Sequence, residues 1–180
     1  GEIGKLKKEL KRADNLTESI LYYARLRTAE KDVQIQKIQA APVLNEAVQS
    51  QMELLIAAGI SVEIEGDFTV YTDGKTLAFI IKQLLINCAK YCPGCHIVIT
   101  AEKGVISVRD DGIGIPKQDL RRVTERGFTG SNGRRLGGST GMGLYIVKEL
   151  CRQMEIALSI TSEEGKYTCV SLAFGSLTKV

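Results

Sequence analysis

The sequence predicts an α+β fold, a two-layer α/β sandwich preceded by a long helix. Residues 2 to about 29 lack proline and carry apolar residues at helical spacing. Downstream, segments with helical periodicity are interspersed with segments of alternating apolar and polar residues. Glycine, proline and aspartate fall between these segments, where turns are expected. Helices grouped with a largely antiparallel sheet favour two packed layers.

The totals indicate a globular chain of one domain plus a short appendage. The 180 residues are 44% hydrophobic and 25% charged, with a net charge of +3. No apolar run approaches the roughly 20 residues that span a bilayer, and the charged start does not resemble a signal peptide. Five cysteines at irregular spacing favour a reducing compartment over a disulfide framework. The small net charge gives no indication of nucleic acid binding.

The first predicted helix has a narrow apolar seam. Its members alternate spacings of three and four: Ile3, Leu6, Leu10, Ala13, Thr17, Ile20 and Ala24. The rest of the helix surface is charged, so we expect the seam to pack against another helix or a second copy of the chain. A helix folded back on its own domain is the alternative. Residues 1–31 are therefore treated as one segment and residues 32–180 as the main domain.

Turn and cap residues delimit the elements of the main domain. Pro42 suits the first turn of a helix to about residue 58, which Gly59 ends. Asp73 is placed to cap a helix that runs to residue 91. The predicted strands are 37–40, a hairpin of 61–65 with 68–71, a second hairpin of 96–102 with 105–109, and the closing pair 155–161 and 166–174. A further helix is expected over residues 140–154.

The stretch Cys92-Pro93-Gly94-Cys95-His96 fits both the attachment pattern of a c-type haem and a thioredoxin-like C-x-x-C. Haem attachment would require a secreted apoprotein. Pro93-Gly94 is a turn signal between a helix and a strand. We therefore interpret the cysteine pattern as incidental to a turn.

A glycine-rich region points to phosphate binding. Nine glycines lie between residues 112 and 143, and neither a P-loop nor a G-x-G-x-x-G fingerprint is present. Asp110-Asp111-Gly112-Ile113-Gly114-Ile115-Pro116 follows a predicted strand, and Gly138 to Leu144 opens a predicted helix. Glycines before a helix N-terminus suit phosphate, and an aspartate at a strand end can accept a hydrogen bond from an amine such as that of adenine. Residues 117–135 carry six basic and two acidic side chains, which makes them a candidate anion clamp or simply a solvated surface.

The order of four motifs resembles the Bergerat ATP-binding domain of sensor histidine kinases, gyrase, Hsp90 and MutL. Residues 83–91 resemble the kinase N box, residues 108–116 the first glycine box, residues 125–130 the F box of the lid, and residues 138–144 the second glycine box. Lys90-Tyr91 and the lid sequence from Gly127 to Arg134 are similar to those of histidine kinases. They are closest in style to the small kinases of antimicrobial-peptide sensing systems.

The resemblance implies roles for individual residues. Asp110 would bind the adenine amino group, and Asn87 would hold Mg²⁺ against the phosphates of ATP. Lys90 would reach a phosphate, and Tyr91 would lie along the base or ribose. The other implied nucleotide contacts are Gly112, Gly114, Ile115, Phe128, Arg134, Ser139, Thr140, Gly141, Met142, Gly143 and Leu144.

The resemblance also implies a setting for the domain. Residues 21–26 resemble the second helix of a kinase dimerisation hairpin, so the phosphoacceptor helix is expected to be absent from this chain. His96, the single histidine, is expected on a strand. The implied partners are a second copy of the kinase, a response-regulator receiver domain and, as a candidate in sensing, a transporter. The domain would be cytoplasmic, with the full-length protein in the cell membrane.

Two positions depart from the motif pattern. Ile86 stands where many relatives have an acid, and Asp111 stands where asparagine is usual. The first departure argues against the main alternative, an ATPase clamp of the gyrase or Hsp90 kind. A nucleotide-dependent interaction module, with helix 2–29 carrying the function, is the non-enzyme alternative.

Overall fold

The computed structural model describes residues 1–28, 33–131 and 141–175, which fall in two units, Gly1–Val33 and Gln34–Val180. The first unit contains helix α1, Glu2–Thr28. The helices of the second unit are α2 (Ala40–Ser50), α3 (Met52–Ala57), α4 (Gly74–Tyr91), α5 (Lys117–Leu120) and α6 (Gly143–Gln153). Its strands are β1 (Gln36–Gln39), β2 (Ser61–Gly66), β3 (Thr69–Thr72), β4 (His96–Glu102), β5 (Val105–Asp110), β6 (Ile156–Glu163) and β7 (Tyr167–Phe174).

Helix α1 is present as predicted, and its apolar seam is exposed. Ile3, Leu6, Leu10 and Ile20 each keep more than half of their surface accessible. Apolar side chains at this spacing gain stability only when another surface covers them. Within the described parts of the chain, no helix combines the length and the apolar character needed to cross a membrane.

The second unit is built on a five-stranded sheet in the order β2-β4-β5-β7-β6. Strand β2 runs parallel to β4, and the remaining neighbours are antiparallel. The short strands β1 and β3 pair with each other in a separate antiparallel ribbon. The predicted hairpin of 61–65 with 68–71 is therefore wrong, because β2 and β3 pair with different strands.

Helices cover one face of this sheet. Alternate residues of the central strands point into the core, among them Ile97 and Ile99 of β4 and Ile106 of β5, all fully buried. Helix α4 supplies the matching apolar face and contacts α2, α3 and α6, while α2 lies against β2 and α6 against β6. The predicted two-layer α/β sandwich is confirmed.

The ends of several elements differ from the sequence prediction. The helix expected over 42–58 is divided at Gln51 into α2 and α3. Helix α4 begins as predicted, since the Oδ1 of Asp73 accepts a hydrogen bond of 3.0 Å from the amide of Thr76. Helix α5 was not predicted, and α6 is described from Gly143 onward.

Candidate functional site

A cavity opens where α4 passes the end of β5. Its lining residues are Leu84, Asn87, Cys88, Tyr91, Cys92, Val108, Asp110, Ile113, Gly114, Ile115, Pro116, Asp119, Val123, Phe128, Thr129, Gly130, Leu144, Thr168 and Val170. Most of these side chains are apolar, and a few polar groups stand among them. A concave apolar site with a few convergent polar groups is typical of small-molecule binding.

Among the described residues, Asp110 is one of two buried carboxylates that line the cavity, and it forms the floor. It ends β5 on the face shared by Ile106 and Val108, because every second side chain of a strand points the same way. The Oδ1 of Asp110 accepts a hydrogen bond of 3.0 Å from the amide of Gly112, which fixes the carboxylate. Burial raises the pKa of Asp110, and the hydrogen bonds from Gly112 and from the thiols of Cys92 and Cys88 oppose that rise.

Asn87 stands beside the N-terminus of α6. A methyl group built on Gly143 would come within 3.1 Å of the Oδ1 of Asn87, so glycine leaves room for the amide at this position. The first amides of an α-helix have no partner within the helix and carry partial positive charge. An amide oxygen and a helix N-terminus therefore face the same end of the cavity.

The segment from Asp119 to Ser131 forms the outer wall of the cavity. The Oδ2 of buried Asp119 accepts a hydrogen bond of 3.0 Å from the amide of Ser131. The guanidinium of Arg122 lies 4.4 Å from the ring centre of Phe128 and also pairs with Glu125. These contacts hold an aromatic ring at the edge of the cavity with an arginine over it.

Many of the nucleotide contacts implied by the motifs lie in or next to the cavity. Seven of these residues line the cavity: Asn87, Tyr91, Asp110, Gly114, Ile115, Phe128 and Leu144. Gly112, Gly141, Met142 and Gly143 lie next to the lining, either in hydrogen bonds or at the start of α6. The Nζ of Lys90 lies 5.6 Å from the ring centre of Tyr91. Arg134, Ser139 and Thr140 lie outside the described residues.

Several lining residues were not identified from the sequence. Thr168 pairs with Asp110 across β5 and β7, and Val170 follows it on the same face. In the sequence these residues show only the alternation of a strand, which indicates a core position. Asp119 belongs to none of the motifs, and the sequence alone gives no signal for its place in the cavity wall.

Of the two cysteines in the C-x-x-C stretch, Cys92 lines the cavity and Cys95 lies next to it. The Sγ atoms of Cys92 and Cys95 are 3.0 Å apart, and both cysteines are free and buried. A hydrogen bond with Cys88 and burial raise the pKa of the Cys92 thiol, and burial raises that of Cys95. The prediction that Pro93-Gly94 forms a turn agrees with the hydrogen bond from the Cys95 amide to the Cys92 carbonyl.

Residues 72–176 match the family described as histidine kinase-, DNA gyrase B-, and HSP90-like ATPase. The chain is 34% identical over 183 residues to the sensor histidine kinase YxdK of Bacillus subtilis, covering 97% of this chain and 56% of that protein. It is 34% identical over 176 residues to the sensor protein BceS of Halalkalibacterium halodurans, covering 95% and 53%. The chain thus spans about half the length of these curated relatives.

Solved structures show the same fold. The histidine kinase AdeS of Acinetobacter baumannii superposes with a TM-score of 0.70 at 14% identity, over 97% of this chain and 84% of that one. Full-length ShkA, in complex with AMPPNP, superposes with a TM-score of 0.75 at 21% identity, over 100% of this chain and 40% of that one. At these identities the likeness concerns the fold.

Fold and cavity together define an ATP-binding domain, and the chain belongs to the family of histidine kinase-, DNA gyrase B- and HSP90-like ATPases. Within that family it is a catalytic and ATP-binding domain of the sensor histidine kinase type, as its four motifs predicted.

Proposed function

We propose that this chain binds Mg²⁺-ATP and donates the γ-phosphoryl group to the imidazole of a histidine other than His96, carried on a helix presented to the site. The observation that carries this proposal is the placement of buried Asp110 in the same cavity as Asn87, beside the start of α6. A base-binding carboxylate and a phosphate-binding helix end are the two recognition elements that ATP requires.

At the base end, Asp110 accepts a hydrogen bond from the exocyclic amine of adenine. The Gly112 amide holds the carboxylate in place before the nucleotide arrives. The apolar side chains of Val108, Ile115 and Leu144 enclose the flat base. A guanine would present a carbonyl at the same position, and a carboxylate would repel that oxygen.

At the phosphate end, Asn87 would hold Mg²⁺ through its amide oxygen. The residue fits this ion, because Mg²⁺ prefers oxygen ligands and takes few from protein when phosphates and water supply the others. Bound Mg²⁺ neutralises charge on the phosphate oxygens. The amides at the start of α6, from Gly143 onward, and the ammonium of Lys90 add positive charge at this end.

Transfer to histidine depends on alignment and charge neutralisation, and it needs no nucleophile from this chain. His96 is a poor acceptor because it begins β4 outside the cavity lining. Its Nδ1 lies 2.7 Å from the Oγ of Ser61, and its Nε2 lies 3.5 Å from Glu63. Ile86, next to Asn87 on α4, offers no group that could take a proton from water.

The setting of the domain is also proposed. The exposed seam of α1 supports its assignment as the second helix of a dimerisation hairpin, with residues 1–31 as that segment and a homodimer as the assembly. Because the relatives are named as a sensor histidine kinase and a sensor protein, we also propose a response-regulator receiver domain as the next phosphoryl acceptor and a membrane location for the full-length protein. A transporter partner stays a prediction.

The loop-to-helix junction gives a first test of the phosphate end. Gly141 has a φ of +64°, and a methyl group there would lie 2.4 Å from the Gly127 carbonyl carbon and 2.7 Å from the Phe128 amide. We expect Gly141→Ala to weaken ATP binding at least about tenfold, since displaced amides at a helix start lose charge-assisted hydrogen bonds of about 1.5–3 kcal/mol. Calorimetric titration with Mg²⁺-ATP measures this.

Gly165→Ala is the matched control for Gly141→Ala. Gly165 has a φ of +79° but open space around it, in the turn between β6 and β7. It should lose about 1–2 kcal/mol of folding stability from the left-handed backbone and keep its ATP affinity. Equal ATP affinity in the two variants would contradict the proposed role of the junction.

Phosphoryl transfer is tested with a supplied acceptor. A histidine-bearing helical hairpin from YxdK, mixed with this chain and labelled Mg²⁺-ATP, should acquire acid-labile phosphate. Asn87→Ala should abolish the labelling, because the ion loses its protein ligand. An unlabelled hairpin despite normal ATP binding would favour the nucleotide-dependent interaction module.

A further inference from the structure

Three potential metal ligands converge on the floor of the cavity. The Sγ atoms of Cys88 and Cys92 and a carboxylate oxygen of Asp110 all lie within 4.8 Å of one another, and all three residues are buried. Cys88 lies in the last turn of α4 and Cys92 is the residue that caps the helix, so spacing of four places them on one side. Asp110 reaches them from β5, which means that two regular elements hold the cluster.

The spacing of these atoms suits a tetrahedral metal ion. Zinc binds thiolate sulfur at about 2.3 Å and carboxylate oxygen at about 2.0–2.2 Å, which sets ligand atoms roughly 3.5–3.8 Å apart. The Sγ of Cys88 already lies 3.8 Å from the Oδ2 of Asp110. No two of the three ligand atoms are more than 4.8 Å apart. Each remaining pair would therefore have to approach by about 1 Å or less to reach the ligand spacing of a zinc ion.

We propose that Cys88, Cys92 and Asp110 form a binding site for a thiophilic divalent cation of the zinc class. Two sulfur ligands favour such an ion over Mg²⁺, which prefers oxygen. With three ligands from the chain, a tetrahedral ion would take its fourth ligand from water. This site is separate in ligand chemistry from the oxygen of Asn87.

The proposed cation and adenine compete for one carboxylate. A metal bound to Asp110 takes one acceptor position of the carboxylate, whose Oδ1 already accepts from the Gly112 amide, and it adds positive charge facing the adenine amine. Zinc would therefore act as an inhibitor of ATP binding. This competition rests on the proposed function of Asp110, whereas metal binding by the cluster does not.

A disulfide between Cys92 and Cys95 is the competing interpretation of the same thiols. Their sulfur atoms are 3.0 Å apart, and oxidation would remove Cys92 from the metal cluster. Cys95 is not one of the three clustered ligands, so it can be replaced to separate the two interpretations.

The test measures Zn²⁺ binding by the reduced chain without nucleotide, by calorimetry and by competition with a chromogenic chelator. Cys88→Ser should weaken binding at least about 100-fold, since even outer-shell changes at zinc sites cost 10- to 100-fold. Cys95→Ser should retain zinc binding. Cys151→Ser, which replaces a buried thiol of α6, is the matched control and should also retain it.

Two further readouts keep the result independent of folding defects. Co²⁺ should give thiolate-to-metal charge-transfer absorption in wild type and in Cys95→Ser, and Cys92→Ser should lose it in a chain whose circular dichroism is unchanged. The proposal would be overturned if wild type did not bind Zn²⁺, or if wild type and Cys88→Ser bound it equally. If Cys95→Ser lost as much Zn²⁺ binding as Cys88→Ser, the proposal would also be overturned. The metal ligands would then include the C-x-x-C pair, Cys92 and Cys95.

The competition is tested by titrating Mg²⁺-ATP into wild type and Cys88→Ser, each with and without one equivalent of Zn²⁺. Zinc should weaken ATP binding in wild type only. Free ATP also binds Zn²⁺, but it does so equally in both titrations, so Cys88→Ser controls for that effect. Unchanged ATP affinity in zinc-loaded wild type would overturn the sharing of Asp110. Failure of zinc-free wild type to bind ATP would instead count against the proposed function and leave the zinc titration valid.

Discussion

Replacing Asp110 by alanine is expected to weaken ATP binding about ten- to hundredfold. The change removes a charge-assisted hydrogen bond from a buried site, which costs about 1.5–3 kcal/mol. It should also remove the proposed preference for adenine over guanine, because in our proposal the carboxylate is the group that distinguishes an amine from a carbonyl at that position. Competition between ATP and GTP, followed by calorimetry, measures both effects.

Asp111→Ala is the matched control for Asp110→Ala. This neighbouring carboxylate is exposed and accepts a hydrogen bond of 2.7 Å from the His96 amide, outside the cavity lining. It should leave ATP affinity unchanged. In wild type, acidification should weaken ATP binding at a higher pH than for an ordinary aspartate, because burial raises the pKa of Asp110 and protonation removes the acceptor. Equal ATP affinity in wild type and Asp110→Ala would exclude this residue from the site.

The second prediction is that the chain alone neither phosphorylates itself nor hydrolyses ATP at an appreciable rate. We expect it to bind Mg²⁺-ATP, to hydrolyse it very slowly and not to label itself on histidine. Ile86 cannot act as a base toward water, and His96 is held at the start of β4 by Ser61 and Glu63. Phosphate release and acid-labile labelling from radioactive ATP are the two measurements.

An acceptor helix supplied to the chain should become labelled. With a histidine-bearing helix of the kinase hairpin type joined ahead of Glu2, acid-labile label should appear on that histidine, and His96→Gln should not prevent it. Fast steady hydrolysis by the chain alone, or label mapped to His96, would favour a clamp ATPase of the gyrase or Hsp90 kind.

Local signals were sufficient for those parts of the fold in which the partners are close in sequence. Asp73 caps α4 through the Thr76 amide, and the turn at Lys103-Gly104, with φ values of +50° and +77°, joins β4 and β5 as predicted. The partner of strand β2 was predicted wrongly because its true partner, β4, is remote in sequence. Gly66 of β2 looked like a hairpin turn, yet a methyl group there would lie 2.4 Å from the Ala101 carbonyl oxygen, so the glycine serves close approach to β4.

Some residues of the candidate site could likewise be identified from the sequence, and others could not. The glycines and Asp110 could be named from their positions at the ends of predicted elements, and Asn87 from the motif order that resembles the Bergerat domain. Thr168 and Val170 could not, since their only signal is the alternation of a strand. The cluster of Cys88 and Cys92 with Asp110 was missed because its members follow no metal-site spacing, and only the meeting of α4 with β5 brings them together.

The register of β5 and β7 has a consequence for how the domain folds. Asp110 stands opposite Thr168, so the floor of the cavity exists only after strands far apart in sequence have paired. Such non-local pairing is slow, because chain closure costs entropy before the contacts form. A partly folded chain containing only the β4–β5 hairpin would lack the proposed base site, so ATP bound as proposed would be a ligand of the complete sheet. At 100 times its dissociation constant, a ligand of this kind adds about 2.7 kcal/mol to the stability of the whole unit.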